Sequence, residues 1–206
     1  SWNLKDGLPM HRVRGRTLGL IGFGRIGQVV AEKARGFSMN VIYYDPNPSL
    51  TAVMDAGLAR EVSLEKLITE SDFVSLHAPL TEGTRALVNE DFMHAMKSTA
   101  CLVNCARGGL VDHDALLTAL HEGEIAGAAL DVFEPEQLSP DHPLLQLNNL
   151  IATPHVAFYS AESVAELQRR ASMNVAAILA GRLPEAIINP EVLERPRWRH
   201  LTGSVE

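Results

Sequence analysis

Residues 18–34 read LGLIGFGRIGQVVAEKA and place Gly22, Gly24 and Gly27 in the spacing G-x-G-x-x-G. The short apolar run TLGLI at residues 17–21 leads into these glycines and predicts a buried strand. After the glycines, apolar residues recur at helical spacing over residues 25–37, which predicts an amphipathic helix. The run NVIYY at residues 40–44 predicts a second strand that ends at Asp45. This order of strand, turn, helix and strand is typical of a parallel α/β sheet.

The same alternation continues along the chain. Further strands are predicted at residues 72–76, 100–103, 125–130 and 149–152, and helix N-caps at Ser63, Asn89, Asp112 and Ser160. A third strand is expected within residues 50–61, where the pattern is weak. Because the strands are continuous apolar runs, both of their faces should be covered. The sequence therefore predicts a doubly wound parallel α/β sheet, that is, a Rossmann-type fold.

Composition and charge argue against several classes of partner. The chain has 206 residues and a formal net charge of −7, which makes a basic face for nucleic acid unexpected. It contains no apolar run of about 18 residues, so no membrane span is expected. Cys101 and Cys105 lie in an apolar run and are predicted to be buried thiols in a reducing, cytoplasmic compartment. A disulfide or redox pair is the alternative.

The three glycines predict a dinucleotide site. Gly22 would permit the tight turn, Gly24 would let a pyrophosphate approach the backbone, and Gly27 would let helix and strand pack closely. The N-terminus of the following helix offers N–H groups and a positive dipole end to phosphates. Asp45 follows the second strand and can accept hydrogen bonds from an adenosine ribose. Because no Arg or Lys follows it in PNPSL, NAD is favoured over NADP. The alternative is a glycine turn without a ligand.

Three polar side chains follow three successive predicted strands: Arg107, Glu136 and His155. Ligands of doubly wound sheets bind at the carboxyl ends of the strands, so these side chains should meet at one edge. An arginine can hold a carboxylate in bidentate fashion, a histidine can donate a proton near neutral pH, and a carboxylate can orient that histidine. This set suits reduction of a 2-keto acid beside a nicotinamide. Each residue alone would also fit an ordinary surface position.

Other titratable residues near this edge have less certain roles. Asp131 ends a predicted strand and could accept a hydrogen bond from the nicotinamide carboxamide. His77 opens the loop after a strand, where a site role and a structural role are equally plausible. The remaining histidines, His113, His121 and His142, lack metal-ligand spacing and are expected on solvated faces. No metal site is predicted.

The motifs GFGRIG, YYDP, SLHAPLTEGT, LVNCARGGLVD, GAALDVFEPE and TPH, in this order, resemble the D-isomer-specific 2-hydroxyacid dehydrogenases. The resemblance covers about residues 14–190. Within the family, TPHVAFYSAES and GRLPEAIINPE are most similar to the C-terminal binding protein branch, which contains transcriptional corepressors and bacterial dehydrogenase-like relatives. The resemblance implies substrate binding by Arg107, a carboxylate partner in Glu136 and an acid/base in His155. It further implies that NAD contacts Gly22, Gly24, Arg25, Ile26, Gly27, Asp45, His77, Pro79, Thr84, Asn104, Cys105, Ala106, Arg107, Asp131, His155 and Ala157.

Two positions depart from the family pattern. Phe158 stands where the corepressor branch usually has Trp, so the aromatic wall is kept while the indole N–H is lost. Gln137 stands where Pro is usual after the glutamate, which is expected to loosen that loop.

The resemblance also implies a domain organisation. Family members begin with a separate substrate-domain segment, and this N-terminal lobe is expected to be missing here. Residues 1–13 are then interpreted as the remnant of a connecting helix, residues 14–190 as the NAD-binding domain, and residues 191–206 as a tail.

The functional hypotheses that follow belong to different classes. The first is an NAD-dependent enzyme that interconverts 2-keto acids and D-2-hydroxy acids. The second is an interaction protein of corepressor type whose dimerisation responds to NAD(H). The third is a dehydrogenase of the formate or phosphite type. Glu136 argues against a formate enzyme, because formate dehydrogenases of this pattern place Gln beside the histidine. A homodimer is predicted, because the family dimerises through this domain and Trp2, Leu4, Leu8 and Met10 would be poorly buried in a lone domain.

Overall fold

The computed structural model describes residues 10–47 and 57–198. These residues form two compact units that part between Ala157 and Phe158. Within the described residues, the first unit holds a seven-stranded sheet in the order β3-β2-β1-β4-β5-β6-β7, and all neighbouring strands are parallel. The strands are β1 Thr17–Ile21, β2 Asn40–Tyr44, β3 Arg60–Glu61, β4 Phe73–Leu76, β5 Cys101–Asn104, β6 Gly127–Leu130 and β7 Leu150–Ala152. The helices of this unit are α1 Arg25–Gly36, α2 Leu64–Glu70, α3 Glu90–Ala95 and α4 His113–Glu122.

Two clusters of buried side chains cover the two faces of the sheet. Leu20 and Ile21 are neighbours in β1, so they point to opposite faces, and each belongs to a different cluster. Helix α1 contributes Ala31 and Ala34 to the cluster of Leu20. The other helices contribute to the cluster of Ile21 through Leu67, Ile68, Phe92, Met93, Leu116, Ala119 and Leu120. Helices therefore lie on both faces, and the predicted doubly wound α/β fold is confirmed.

The predicted helix boundaries rest on specific hydrogen bonds. Asn89 accepts the N–H of Phe92 at the start of α3, and Asp112 accepts the N–H groups of Asp114 and Ala115 at the start of α4. These bonds satisfy donors that have no partner inside the helix. At the other end of α4, Gly123 has a φ of 72°, a left-handed conformation that favours glycine.

A partly buried ionic cluster joins the amino ends of β1 and β4. Asp72 accepts hydrogen bonds from the N–H of Thr17 at 2.8 Å, from Lys97 Nζ at 3.2 Å and from Arg16 Nη1 at 3.2 Å. Burial alone would raise the pKa of Asp72, but these hydrogen bonds and the charge of Lys97 outweigh it and lower the pKa. The ionised carboxylate thus connects the start of β1 to the start of β4.

The weak third strand is present in a short form. Arg60–Glu61 forms β3 at the sheet edge and pairs with Ile42 and Tyr43 of β2. Both of its residues are exposed and charged, which is typical of an edge strand and explains why no apolar pattern predicts it. Residues 50–56 of the predicted stretch lie outside the described residues.

Two expectations about polar side chains were wrong. Cys105 is exposed rather than buried, because it follows β5 at the open carboxyl edge of the sheet, while Cys101 is half-buried; both thiols are free. His113 is half-buried rather than solvated, with its ring 5.7 Å from that of Phe133. Burial lowers the pKa of His113. His142 is also half-buried, and its Nδ1 accepts the N–H of Leu144.

The second unit contains helix α5, Ala161–Leu179, and a 3₁₀ turn at Pro190–Glu194. Ser160 caps α5 as predicted, in a reciprocal capping box with Ser163. Gly181, with a φ of 72°, follows the end of the helix. Among the described residues, no helix combines the length and apolar character needed to cross a membrane.

Candidate active site

The glycine turn between β1 and α1 is tightly packed on one side and open on the other. Gly22 has a φ of 92°, and a Cβ there would lie 2.7 Å from the carbonyl carbon of His77. A Cβ at Gly27 would lie 2.5 Å from the carbonyl oxygen of Gly22. In contrast, a Cβ at Gly24 would meet no described atom within 4 Å. Gly22 and Gly27 therefore permit close packing, whereas Gly24 keeps open the space where a ligand could reach the backbone.

The N-terminus of α1 has the features of an anion site. The N-cap is Gly24, which has no side chain to cap the first N–H groups, and the first turn of the helix carries no acidic residue. Arg25 and Ile26 are exposed in that turn, and Ile26 is 69% exposed. Backbone N–H groups, the helix dipole and an arginine all favour a pyrophosphate at this end.

Asp45 lies at the end of β2, next to the glycine turn. Its Oδ2 accepts the N–H of Phe23 at 2.8 Å, and its Oδ1 accepts the N–H of Asn47 at 2.9 Å. A carboxylate has about four acceptor positions, so two remain for the hydroxyl groups of a ribose. Phe23 is 1% exposed and stacks on Tyr43 with ring centroids 4.0 Å apart, which anchors the turn from below. These residues fit the adenosine half of a dinucleotide.

The loop after β4 holds three residues of the predicted cofactor site. His77 is half-buried, and its Nε2 lies 3.0 Å from Ser75 Oγ in the preceding strand. Burial lowers the pKa of His77, which favours the neutral ring. Thr84 Oγ1 donates to the carbonyl of Pro79 at 2.7 Å, while Pro79 itself is exposed. The backbone of His77 thus packs against Gly22, and the hydrogen bond from Thr84 stabilises the loop that exposes Pro79.

The turn after β5 positions Arg107. Asn104 is fully buried, accepts the N–H of Ala106 at 3.0 Å and donates to the carbonyl of Arg107 at 2.9 Å. Cys105 and Arg107 are exposed on this turn. The guanidinium of Arg107 donates through Nη1 to the carbonyl of Ala106 at 2.6 Å. The structure thus presents Arg107 at the sheet edge.

Asp131 is 4% exposed and organises the turn after β7. Its carboxylate accepts hydrogen bonds from Thr153 Oγ1 at 2.6 Å and from the N–H groups of Val156 at 2.8 Å and Ala157 at 2.9 Å. Burial alone would raise the pKa of Asp131, but these three hydrogen bonds outweigh it and lower the pKa. The carboxylate is therefore held ionised.

Glu136 and His155 form the central pair of the site. His155 Nδ1 lies 3.0 Å from Glu136 Oε2, although the two residues come from loops that follow different strands. Both side chains are partly exposed, which leaves the pair accessible at the edge of the sheet. A carboxylate at Nδ1 fixes the orientation of the ring.

Sequence reasoning missed two supporting residues, Phe23 and Thr153. Phe23 lies between the first two glycines, where an apolar residue in a turn of small residues signals a buried anchor. Thr153 directly follows β7 at the same edge as Asp131, so its position along the sheet was the available signal. Among the described residues, no group of three or more His, Cys, Asp or Glu side chains could hold a metal ion.

Comparison with known proteins gives a family. The family model described as D-isomer specific 2-hydroxyacid dehydrogenase, NAD binding domain, matches residues 1–157. A glyoxylate reductase of Korarchaeum cryptofilum is 47% identical over 182 residues, which make up 88% of this chain and 54% of that protein. The chain spans about half the length of the curated relatives it matches.

Solved structures agree with this result. The D-lactate dehydrogenase with NAD⁺ from Lactobacillus jensenii has a TM-score of 0.83 and 28% identity, over 91% of this chain and 60% of that chain. The D-lactate dehydrogenase from Aquifex aeolicus, complexed with NAD and lactic acid, has a TM-score of 0.75 and 34% identity, over 83% of this chain and 55% of that chain. The chain therefore belongs to the D-isomer-specific 2-hydroxyacid dehydrogenase family and carries its NAD-binding domain.

Proposed function

We propose that this chain is the coenzyme-binding part of an NAD-dependent reductase that converts a small 2-keto acid into a D-2-hydroxy acid. The observation that carries the proposal is the 3.0 Å contact between His155 Nδ1 and Glu136 Oε2 at the carboxyl edge of the sheet. A histidine oriented by a carboxylate suits proton transfer to a carbonyl oxygen. Arg107 follows the neighbouring strand β5 and supplies the cation that a 2-keto acid requires.

Each of these residues has a separate role in the proposal. Arg107 binds the substrate carboxylate and polarises the adjacent carbonyl, which requires its guanidinium to leave the carbonyl of Ala106. His155 donates a proton from Nε2 to the carbonyl oxygen, while Glu136 holds Nδ1. The chemistry that NADH supplies when bound is a hydride to C2 of the keto acid. One keto acid, one NADH and one proton then give one hydroxy acid and one NAD⁺.

The cofactor contacts are also proposed. The turn of Gly22, Gly24 and Gly27 would take the pyrophosphate, and Asp45 the adenosine ribose. Asp131 already accepts three hydrogen bonds, which leaves one acceptor position for the nicotinamide carboxamide. The other residues proposed to line the cofactor are Arg25, Ile26, His77, Pro79, Thr84, Cys105, Ala106, Arg107, His155 and Ala157. Asn104, which is fully buried, is proposed to hold the turn that presents Cys105, Ala106 and Arg107 to the cofactor.

Glyoxylate is the first substrate to test, because curated relatives of this chain are named glyoxylate reductases. Pyruvate is the second, because solved relatives are D-lactate dehydrogenases. The narrower assignment to the C-terminal binding protein branch draws no support from these relatives, so the corepressor hypothesis stays a prediction. The NAD-binding domain is proposed to span residues 14–190, between a connecting segment at 1–13 and a tail at 191–206.

Assembly and location are proposed as well. Met10 is 70% exposed, which supports burial against a second copy in a two-fold homodimer. The predicted partners Trp2, Leu4 and Leu8 lie outside the described residues. Sedimentation of a 22.4 kDa monomer at micromolar concentration would contradict the dimer. A cytoplasmic location is proposed from the two free thiols.

The function is tested with the complete gene product that carries this domain. Oxidation of NADH is followed with glyoxylate, pyruvate and larger 2-keto acids, and reduction of NAD⁺ with formate. We expect turnover of at least one 2-keto acid, none with formate, and a fall in kcat of about 10²-fold or more in His155→Ala. NADH binding without turnover of any 2-keto acid would reject the enzyme and favour the NAD-responsive interaction protein.

A further inference from the structure

Three segments that carry proposed site residues meet at the carboxyl edge of the sheet. They are the loop at 77–88 after β4, the segment at 105–111 after β5 and the loop at 131–138 after β6. The first two are joined by backbone hydrogen bonds from Ala86 N–H to the Gly109 carbonyl at 2.8 Å and from Val88 N–H to the Leu110 carbonyl at 3.0 Å. The loop after β4 is therefore paired with the chain that follows Arg107.

The second and third segments touch through glycine. A Cβ at Gly108 would overlap the carbonyl group of Phe133 and would lie 2.6 Å from the backbone nitrogen of Glu134. Because these are backbone atoms, they cannot turn aside as the end of a side chain can. Gly108 thus allows the chain that carries Arg107 to lie directly on the chain that carries Glu136.

An ion pair closes the junction of all three segments. Arg85 Nη1 donates to Glu134 Oε2 at 2.8 Å, across 49 residues of sequence. The pair lies over Gly109, because a Cβ there would overlap Glu134 Oε2 and would lie 3.1 Å from Arg85 Nη1. Both side chains are about half exposed, and exposed ion pairs contribute little to overall stability. We therefore expect the ion pair of Arg85 and Glu134 to affect the position of the loops that it connects, rather than the overall stability.

We propose that Arg85 and Glu134 are positioning residues, which form a clasp over Gly109 that holds Glu136 in reach of His155. The catalytic part of this inference rests on the proposed function. Glu134 precedes Glu136 by two residues, and Gly109 follows Arg107 by two, so the clasp restrains the chain beside both proposed site residues. Neither Arg85 nor Glu134 need touch the substrate.

The clasp is tested first on the 206-residue chain by hydrogen exchange of the backbone amides in residues 132–138. Arg85→Met and Glu134→Gln should each raise exchange there by about fivefold, the effect of one exposed ion pair of good geometry. The reversed pair, Arg85→Glu with Glu134→Arg, should restore exchange towards the original value. The matched control is Glu166→Gln, which removes the charge from a 2.7 Å ion pair of similar exposure with Arg170 in α5 and should leave exchange in residues 132–138 unchanged.

A second variant opens the clasp while keeping both charges. Gly109→Ala places a methyl group where Glu134 Oε2 now lies. Since the atoms it meets are the ends of flexible side chains, the fold should tolerate it, and exchange in residues 132–138 should rise as in Arg85→Met. Unchanged exchange in both variants, or a reversed pair that exchanges as fast as the single variants, overturns the clasp.

The complete gene product gives the catalytic readout. Arg85→Met should lower kcat for the keto acid by about fivefold with the KM for NADH within about twofold, and the reversed pair should recover kcat. A change in the KM for NADH alone would overturn the positioning role. If the unaltered protein turns over no 2-keto acid, the proposed function fails, whereas the exchange data still decide whether the ion pair holds the loop.

Discussion

Asp131 and His155 are joined at the backbone, and the side chain of Asp131 holds the two residues that follow His155. The N–H of His155 donates to the Asp131 carbonyl at 2.8 Å, and the carboxylate accepts the N–H groups of Val156 and Ala157. His155 has a φ of 55°, a left-handed conformation that is uncommon for a residue with a side chain. The buried acid thus stabilises the backbone that aims the proposed proton donor.

Asp131→Asn should loosen this turn. The amide keeps one oxygen but presents an NH₂ group where Oδ2 now accepts the N–H of Ala157, so one donor loses its partner. We expect a loss of about 1–3 kcal/mol in the free energy of unfolding, measured by urea denaturation. Exchange of the amides of Val156 and Ala157 should rise with it.

Asp112→Asn provides the matched control for this substitution. Asp112 is the N-cap of α4, where Asn and Asp are about equally favourable, so stability should change little. Equal stability of the Asp131 and Asp112 variants would show that the charge of Asp131 does not hold the turn.

A second prediction concerns the pH dependence of stability and Asp72. The pKa of Asp72 is lowered in the folded state, so its ionised form contributes stability above its unfolded pKa of about 3.9. That contribution is lost as pH falls through the lower, folded pKa. Asp72→Asn should therefore cost about 1.5–3 kcal/mol at pH near 7, because a charged acceptor loses Lys97 and Arg16.

The difference between Asp72→Asn and the original chain should shrink in urea denaturation below a pH of about 3.9. Glu32→Gln is the control, since Glu32 is an exposed acid in the middle of α1 that should leave stability nearly unchanged. If the free energies of unfolding of Asp72→Asn and the original chain differed by the same amount at all pH values, the charge of Asp72 would not contribute to the stability of the fold.

The sequence predicted features that depend on residues close together in the chain. It did not predict features that depend on residues far apart in the chain. The glycine turn, β1, β2 and the caps at Asn89 and Asp112 are local, because propensity and spacing over a few residues decide them. The parallel topology then places the ends of β5, β6 and β7 on one edge, so candidates for the site could be chosen by position alone.

The remaining features depend on contacts that no local pattern records. The ion pair of Arg85 with Glu134 joins two loops that are neighbours only in the folded sheet. The exposure of Cys105 follows from where β5 ends, because Cys105 comes directly after the strand at the carboxyl edge of the sheet.

A third prediction concerns cofactor choice. Asp45 lies beside the glycine turn, and PNPSL after it supplies no cation for a 2′-phosphate. NADH should therefore bind at least about tenfold more tightly than NADPH, or about 1.4 kcal/mol, in a fluorescence titration. Asp45→Asn should narrow this gap, because it keeps an acceptor for the N–H of Phe23 while removing the negative charge.

Glu32→Gln again serves as the control, since it removes one negative charge at a distance from the turn and should leave the ratio of affinities unchanged. Equal affinity of the original chain for NADH and NADPH would reject the proposed ribose contact of Asp45.

A fourth prediction separates the charge of Glu136 from its hydrogen bond. Glu136→Gln keeps an oxygen that can accept from His155 Nδ1, whereas Glu136→Ala removes both the oxygen and the charge. In the complete gene product at pH near 7, we expect kcat for keto acid reduction to fall by about tenfold in Glu136→Gln and by about 10²-fold in Glu136→Ala. The affinity for NADH should stay within about twofold, because Glu136 is assigned to no dinucleotide contact.

The comparison between these two variants decides how the pair works. A charge-assisted hydrogen bond is about twice as strong as a neutral one, so a Gln that retains full activity would mean that orientation of the His155 ring is sufficient. A Gln as inactive as Ala would mean that the negative charge at Nδ1 is what the reaction requires. Full activity in Glu136→Ala would contradict any part for the glutamate, despite its 3.0 Å contact with His155.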